Sequence, residues 1–191
     1  MIAATEEINY QETVTKGKVT IANQSVDYIV YVVDARSDEQ RADNLANHHL
    51  DGNLNIFIPG HGQKAWTAKQ LLRTIALKTS SHLVWSVDID PPDGGDPVRC
   101  AALITILKAQ TVSLLFPSTE VYESTTNLFR VTLFGWSHGG GEVLRVAEMD
   151  PALFENVVAL CPASLVERDC YELVWSFTYE CLHIFFFTLF Y

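Results

Sequence analysis

A serine flanked by glycines, directly after a short apolar run, constrains the fold of this chain more than any other feature. The run covers Val131 to Phe134, and Gly135-Trp136-Ser137-His138-Gly139 follows it. Glycine two residues before and after a serine permits a turn too tight for larger side chains, which lifts the hydroxyl clear of a sheet. The segment Gly140 to Met149 has a helical pattern and ends before Asp150-Pro151. We therefore predict a strand, a sharp turn at Ser137 and a helix whose N-terminus faces the serine.

Short apolar runs alternate with helical patterns along most of the chain. We predict strands at Lys18 to Ala22, Tyr28 to Val33, Leu54 to Ile58, Leu83 to Val87, Val131 to Phe134 and Val157 to Leu160. We predict helices at Ala65 to Lys78, Val98 to Lys108 and Gly140 to Met149. The first two strands are expected to form a hairpin around Asn23-Gln24-Ser25, and Ser37 to Gly52 is a surface loop or a short helix. Thr111 to Asn127 has no clear pattern.

This alternation of strands and helices predicts an α/β fold with a mainly parallel sheet covered by helices on both faces. In such sheets the active site lies beyond the carboxyl ends of the strands. With 191 residues, 48% of them hydrophobic, the chain can bury one sizeable core. We assign that core to residues 1–165 and treat residues 166–191 as an apolar tail.

The net charge, the cysteines and the N-terminal residues indicate which partners, which thiol state and which cellular location to expect. A formal net charge of −10 argues against nucleic acid and anionic membrane surfaces, which select basic faces. The four cysteines have no metal-ligand spacing and are interpreted as reduced, partly buried thiols, with a Cys170–Cys181 disulfide as the alternative in a secreted protein. Glu6 and Glu7 stand where an export signal would be basic, so a cytoplasmic location is expected.

A second motif, Pro59-Gly60-His61-Gly62-Gln63, directly follows the strand Leu54 to Ile58. Together with the Ser137 turn downstream, it resembles the His-Gly oxyanion loop and nucleophile elbow of the α/β-hydrolase superfamily, in particular its esterases and lipases. Taken alone, the motif is equally typical of a simple Pro-Gly turn. Ser86-Val87-Asp88 and the Pro/Gly-rich residues after it are similar, more loosely, to the strand-four loop of the same family. The four aspartates between Asp88 and Asp96 are interpreted as a solvated turn rather than a cation site, because their spacing fits no EF-hand.

The resemblance covers roughly Lys18 to Ala163 and implies an α/β-hydrolase fold and the hydrolysis of carboxylic esters. By that resemblance Ser137 is the nucleophile and forms an acyl-enzyme with a small-molecule ester. The backbone N–H groups of Gln63 and His138 would form the oxyanion hole. The resemblance implies neither a metal nor an organic cofactor.

The base and the acid of a serine hydrolase are harder to assign. The family order is serine, acid, histidine, with the last two after later strands, but only about thirty residues follow Leu160. Asp169 and His183 preserve the order and are the candidate acid and base. The alternative for His183 is a half-buried histidine in an apolar segment. The chain therefore resembles an α/β-hydrolase that lacks its C-terminal third.

The apolar segment Leu173 to Tyr191 has two interpretations. It is 19 residues long, close to a membrane span, but Glu180 and His183 lie inside it and no basic flank follows. The favoured interpretation is a chain cut inside the helical cap that often follows strand six. Exposed apolar surface there would favour self-association or membrane contact. The alternatives to an active esterase are thus a non-catalytic or truncated α/β-hydrolase-like protein and a membrane-tethered protein.

Overall fold

Six strands and four α-helices are present in the part of the chain that the structure, a computed structural model, describes: residues 10–47, 49–90, 95–109 and 130–160. The strands are β1 (Gln11–Ile21), β2 (Gln24–Asp34), β3 (Asn53–Ile58), β4 (Leu83–Ile89), β5 (Arg130–Trp136) and β6 (Asn156–Leu160). The helices are α1 (Asp38–Asn47), α2 (Lys69–Lys78), α3 (Gly95–Ala109) and α4 (His138–Met149), with a 3-10 turn at Pro151–Leu153.

All six strands form one sheet in the order β1-β2-β4-β3-β5-β6. β4, β3, β5 and β6 are mutually parallel, whereas β2 runs antiparallel to β4, and β1 antiparallel to β2. After β4, on one side of β3, the chain crosses to β5 on the other side. A ligand in an open parallel sheet binds at such a reversal of strand order. The order therefore brings the loops after β3 and β5, which carry both sequence motifs, to one edge of the sheet.

Two apolar clusters lie on opposite faces of the sheet. The larger includes Ile56 and Trp85 together with residues of α3 and α4. The smaller joins Phe57 and Val84 to Leu72 on α2. Because side chains alternate along a strand, neighbouring residues such as Ile56 and Phe57 enter different clusters. The prediction of a mainly parallel sheet with helices on both faces is confirmed.

The N-terminal hairpin is longer than predicted, and its turn lies earlier. Ala22 and Asn23 form the turn with φ of 47° and 66°, and Ile21 pairs with Gln24. Two successive positive φ angles match the right-handed twist of the flanking strands. The polar Gln24 and Ser25, predicted in the turn, belong to β2. Their side chains are tolerated because this end of the hairpin is partly open to solvent.

Local hydrogen bonds decide where two helices begin. The segment Ser37 to Gly52 was predicted to be a surface loop or a short helix. Here the Ser37 Oγ accepts from the Gln40 N–H at 3.1 Å, and the Gln40 side chain accepts from the Ser37 N–H at 2.9 Å. This reciprocal capping box starts α1. The prediction that the next helix starts at Ala65 is wrong. The Thr67 N–H donates to the Lys64 carbonyl in a turn, and α2 begins only at Lys69.

Candidate active site

Ser137 joins the end of β5 to the start of α4 with a backbone that few residues other than glycine adopt. Its φ is 55° and its ψ is −120°. Such a conformation costs on the order of 1–3 kcal/mol and persists only where surrounding structure holds it. Here the Ser137 N–H donates to the Leu160 carbonyl of β6 at 3.0 Å, and the Ser137 carbonyl accepts from Gly141 at 3.2 Å. The serine is therefore fixed in a strained turn at the carboxyl edge of the sheet.

The two glycines around Ser137 have a steric cause. A Cβ on Gly135 would collide with the Gly139 carbonyl group and lie 2.8 Å from a methyl group of Val143. A Cβ on Gly139 would collide with the carbonyl oxygens of Ile58 and Pro59. Apart from the contact with the Val143 methyl group, these clashes are with backbone, which cannot rotate away. Glycine at both positions thus lets α4 begin in direct contact with β5 and with the end of β3.

The loop after β3 lies against the serine. A Cβ on Gly60 would be 3.3 Å from both the Ser137 Cβ and the Trp136 carbonyl oxygen. The loop is closed by two bonds between its ends. The Gly60 N–H donates to the Gln63 side-chain oxygen, and the Gln63 N–H donates to the Gly60 carbonyl oxygen, each at 3.1 Å. The Gln63 N–H, expected in an oxyanion hole, is thus engaged in a turn in this structure, because the segment folds back on itself.

His138, the first residue of α4, contacts two other ionisable side chains. Its Nε2 is 3.6 Å from Glu142 Oε1, one helical turn along α4. Its ring meets the His61 ring edge to face, with centroids 5.9 Å apart and an angle of 89°. Glu142 is buried and forms an ion pair with Arg99 of α3. Neither Glu142 nor Arg99 was predicted from the sequence. The i, i+4 spacing from His138 to Glu142 was visible in the sequence, but the approach of α3 was not.

Asp88, at the carboxyl end of β4, is not a solvated turn residue as predicted. Its side chain is only 9% exposed, and Lys64 Nζ lies 3.4 Å from one of its oxygens. Asp90, 3.9 Å from the same ammonium group, is exposed and fits the prediction. A buried carboxylate requires a nearby positive charge, and Lys64 provides it here. No group of three or more potential metal ligands occurs among the described residues.

The remaining predicted positions lie outside the described residues. They are Asp93, Cys161, Asp169, His183, the segment Leu173 to Tyr191 and the Cys170–Cys181 pair. Cys100, on α3, is a buried thiol. Across residues 10–47, 49–90, 95–109 and 130–160, no helix is long and apolar enough to cross a membrane.

The chain resembles known proteins in structure but matches none of the family models or curated proteins in sequence. A "probable hydrolytic enzyme" from Pseudomonas aeruginosa PAO1 is 19% identical with a TM-score of 0.56, over 85% of this chain and 45% of that one. A protein described as a CIB-like hydrolase from Thermoplasma acidophilum is 13% identical with a TM-score of 0.50, over 81% and 66%. An arylesterase is 13% identical with a TM-score of 0.50, over 82% and 47%.

This chain has the α/β-hydrolase fold. The strand order around β3 and the strained turn at Ser137 occur together with a structural likeness to several hydrolases of that fold. The chain spans between 45% and 66% of the length of these three solved structures. Within the α/β-hydrolase fold of this chain, the two sequence motifs meet at Gly60 and Ser137.

Proposed function

We propose that this chain carries the nucleophile of a serine hydrolase that acts on small carboxylic esters. Ser137 attacks the ester carbonyl, the alcohol leaves, and water then releases the acyl group from the serine. One observation carries the proposal. Ser137 holds a strained, positive-φ backbone between two sterically required glycines, at the edge of the sheet where α/β proteins bind ligands.

The oxyanion would be held by backbone N–H groups near Ser137. The His138 N–H, at the start of α4, is one proposed donor, since the positive end of a helix dipole favours negative charge. Gln63 would have to release its bond to the Gly60 carbonyl to serve as the second donor. His61 follows Gly60 directly, in the loop that lies beside Ser137. We therefore propose the His61 N–H as the second donor while the Gln63 N–H stays bonded to the Gly60 carbonyl oxygen.

The general base and its orienting acid remain proposals. His183 and Asp169 keep the order serine, acid, histidine. The proposal requires no metal or organic cofactor, because an activated serine and an oxyanion hole suffice for ester hydrolysis.

A fluorophosphonate probe tests the nucleophile. We expect the folded chain to be labelled at Ser137, found by mass spectrometry of the labelled peptide, and Ser137→Ala to abolish labelling. Ser25→Ala is the matched control, because Ser25 is an exposed serine near the hairpin turn. It should label like the unaltered chain. Absence of label on Ser137 in a chain that is folded by circular dichroism would overturn the proposal.

A non-catalytic protein is the second candidate, because the proposed base and acid, His183 and Asp169, lie outside the described residues. In that case the strained serine would persist without a base to activate it. Hydrolysis of p-nitrophenyl acetate separates the two functions. Turnover that disappears in Ser137→Ala supports the esterase, whereas equal rates in both chains support the non-catalytic alternative.

A further inference from the structure

A buried carboxylate on α4 has no role in the mechanism proposed above. Glu142 is 3% exposed and lies one turn after His138. A buried charge requires a partner, and the ion pair with Arg99 of α3, itself 16% exposed, supplies one. Buried ion pairs seldom stabilise a protein more than apolar residues of the same volume would. Stability alone therefore gives little reason for a charged pair at this position.

The charged pair is connected to the edge of the sheet that carries Ser137. Glu142 Oε1 lies 3.6 Å from His138 Nε2, so the carboxylate favours one orientation of the His138 ring. The His138 and His61 rings meet edge to face, with their centroids 5.9 Å apart. His61 follows Gly60, which lies against Ser137. A continuous set of contacts thus runs from α3 through α4 to the loop beside the serine.

We infer that Glu142 is a positioning residue that sets the geometry of the β3 loop beside Ser137 by orienting His138 against His61. This inference rests on the proposed esterase function for its effect on catalysis. Arg99 pairs with the Glu142 carboxylate inside the protein, and the same carboxylate lies 3.6 Å from the His138 ring nitrogen. Orientation of the ring fixes where His61, and with it the proposed oxyanion donor, stands relative to the serine.

The charged and titratable groups of this set come from three elements. Within the described residues, α3 contributes Arg99, α4 contributes His138 and Glu142, and the loop after β3 contributes His61. Lys64 on the same loop is directed at Asp88. Removal of the Glu142 charge should therefore reach the loop through His138, and on α3 it also removes the partner of Arg99.

Glu142→Gln in the full chain tests the inference, because glutamine keeps the shape and removes the charge. We expect kcat for p-nitrophenyl acetate to fall about tenfold with KM within about twofold, since displacement of a catalytic group slows the reaction step. The His61 and His138 imidazole signals in NMR spectra should both shift. Glu155→Gln is the matched control. Glu155 pairs with Arg130 at the opposite end of β5 and is partly exposed, so both readouts should stay unchanged.

Unchanged kcat together with unchanged His61 signals in a folded Glu142→Gln chain would overturn the inference. If this variant fails to fold, His138→Gln leaves the Glu142–Arg99 pair in place and still removes the ring that meets His61. Unshifted His61 signals in that variant would equally overturn it. A chain without esterase activity in its unaltered form contradicts the proposed function, whereas the NMR signals still decide whether Glu142 positions His61.

Discussion

At the scale of single residues, the site is defined by backbone contacts rather than by side-chain chemistry. Ser137 is held in its positive-φ conformation by Leu160 and Gly141. Gly139 lies directly on the carbonyl oxygens at the end of β3. A methyl group on Gly139 would collide with these oxygens. Small substitutions near Ser137 should therefore affect activity more than their size suggests.

Gly60→Ala should reduce activity more than stability. The new methyl group would lie 3.3 Å from the Ser137 Cβ, closer than an ordinary van der Waals contact, so the loop or the serine must shift by a few tenths of an ångström. We expect the rate of labelling by fluorophosphonate to fall about tenfold or more. The free energy of unfolding, measured in urea, should change by no more than about 1–2 kcal/mol.

Gly52→Ala, just before β3 at its other end, is the control for this substitution. Gly52 has a φ of 76° and a Cβ there would collide with the Ser80 side chain, so the variant is destabilised far from Ser137. Its folded fraction should label at the unaltered rate. Equal losses of labelling in both variants would mean that the effect of Gly60→Ala is a general loss of structure.

At the scale of elements, one carboxylate ties the N-terminal hairpin to a helix. Glu12 on β1 contacts Lys69 at 2.5 Å and Arg73 at 2.7 Å, both on α2. Burial raises the pKa of Glu12, but hydrogen bonds from Lys69, Tyr31 and Arg73 outweigh it and lower the pKa to about 2. Burial and the hydrogen bond to Glu12 raise the pKa of Tyr31 to about 12. Arg73 also lies over the Tyr10 ring, 5.2 Å from its centroid.

The Glu12 contacts predict a stability change in acid. The pKa of Glu12 is about 2 in the folded chain and 4.5 in its ordinary state, so its contribution is complete above pH 4.5 and is lost as the pH falls toward 2. Glu12→Gln should lower the free energy of unfolding at pH 7 by about 1–2 kcal/mol and flatten its pH dependence in this window.

Chemical unfolding between pH 2 and pH 7 measures both effects. Asp27→Asn provides the comparison, because the Lys18–Asp27 pair on the same hairpin is largely exposed at 69% and 51%. Exposed pairs contribute little, so this variant should follow the unaltered chain. If the stability of the Glu12→Gln chain fell with pH as much as that of the unaltered protein, the loss could not be assigned to Glu12.

At the scale of the whole molecule, the sheet order assembles the site. β3 lies between β4 and β5, at the point where the order of the strands reverses. Its side chains therefore enter both apolar clusters, and Ile56 and Phe57 are fully buried. Loss of packing on β3 should weaken the sheet and the site together.

Ile56→Ala should lower the free energy of unfolding by about 2–4 kcal/mol, because the variant leaves a cavity in the middle of the sheet. Urea unfolding followed by tryptophan fluorescence measures the loss. Val14→Ala removes two methyl groups from a side chain of β1 that is 52% exposed, and should change stability by less than about 0.5 kcal/mol. A loss at Ile56 as small as that at Val14 would contradict a core at β3.

Much of the architecture could be predicted from local pattern. The apolar runs at β3 to β6 and the glycine-serine turn after β5 are local features, and they predicted the parallel sheet and the position of Ser137. The starts of the helices were less predictable, because the turn at Lys64–Thr67 depends on specific hydrogen bonds. The burial of Asp88 was not predictable from an acidic segment, since it requires Lys64 from another loop.

The sequence by itself determined the alternation of strands and helices and the need for glycine around Ser137, because periodic burial and steric limits act between close neighbours in the chain. Only the tertiary structure decided that Gly60 lies against Ser137 and that Arg99 meets Glu142. These contacts join segments far apart in the sequence. They follow from the strand order around β3, where the free energy of burying the whole sheet, rather than any local preference, sets which loops meet.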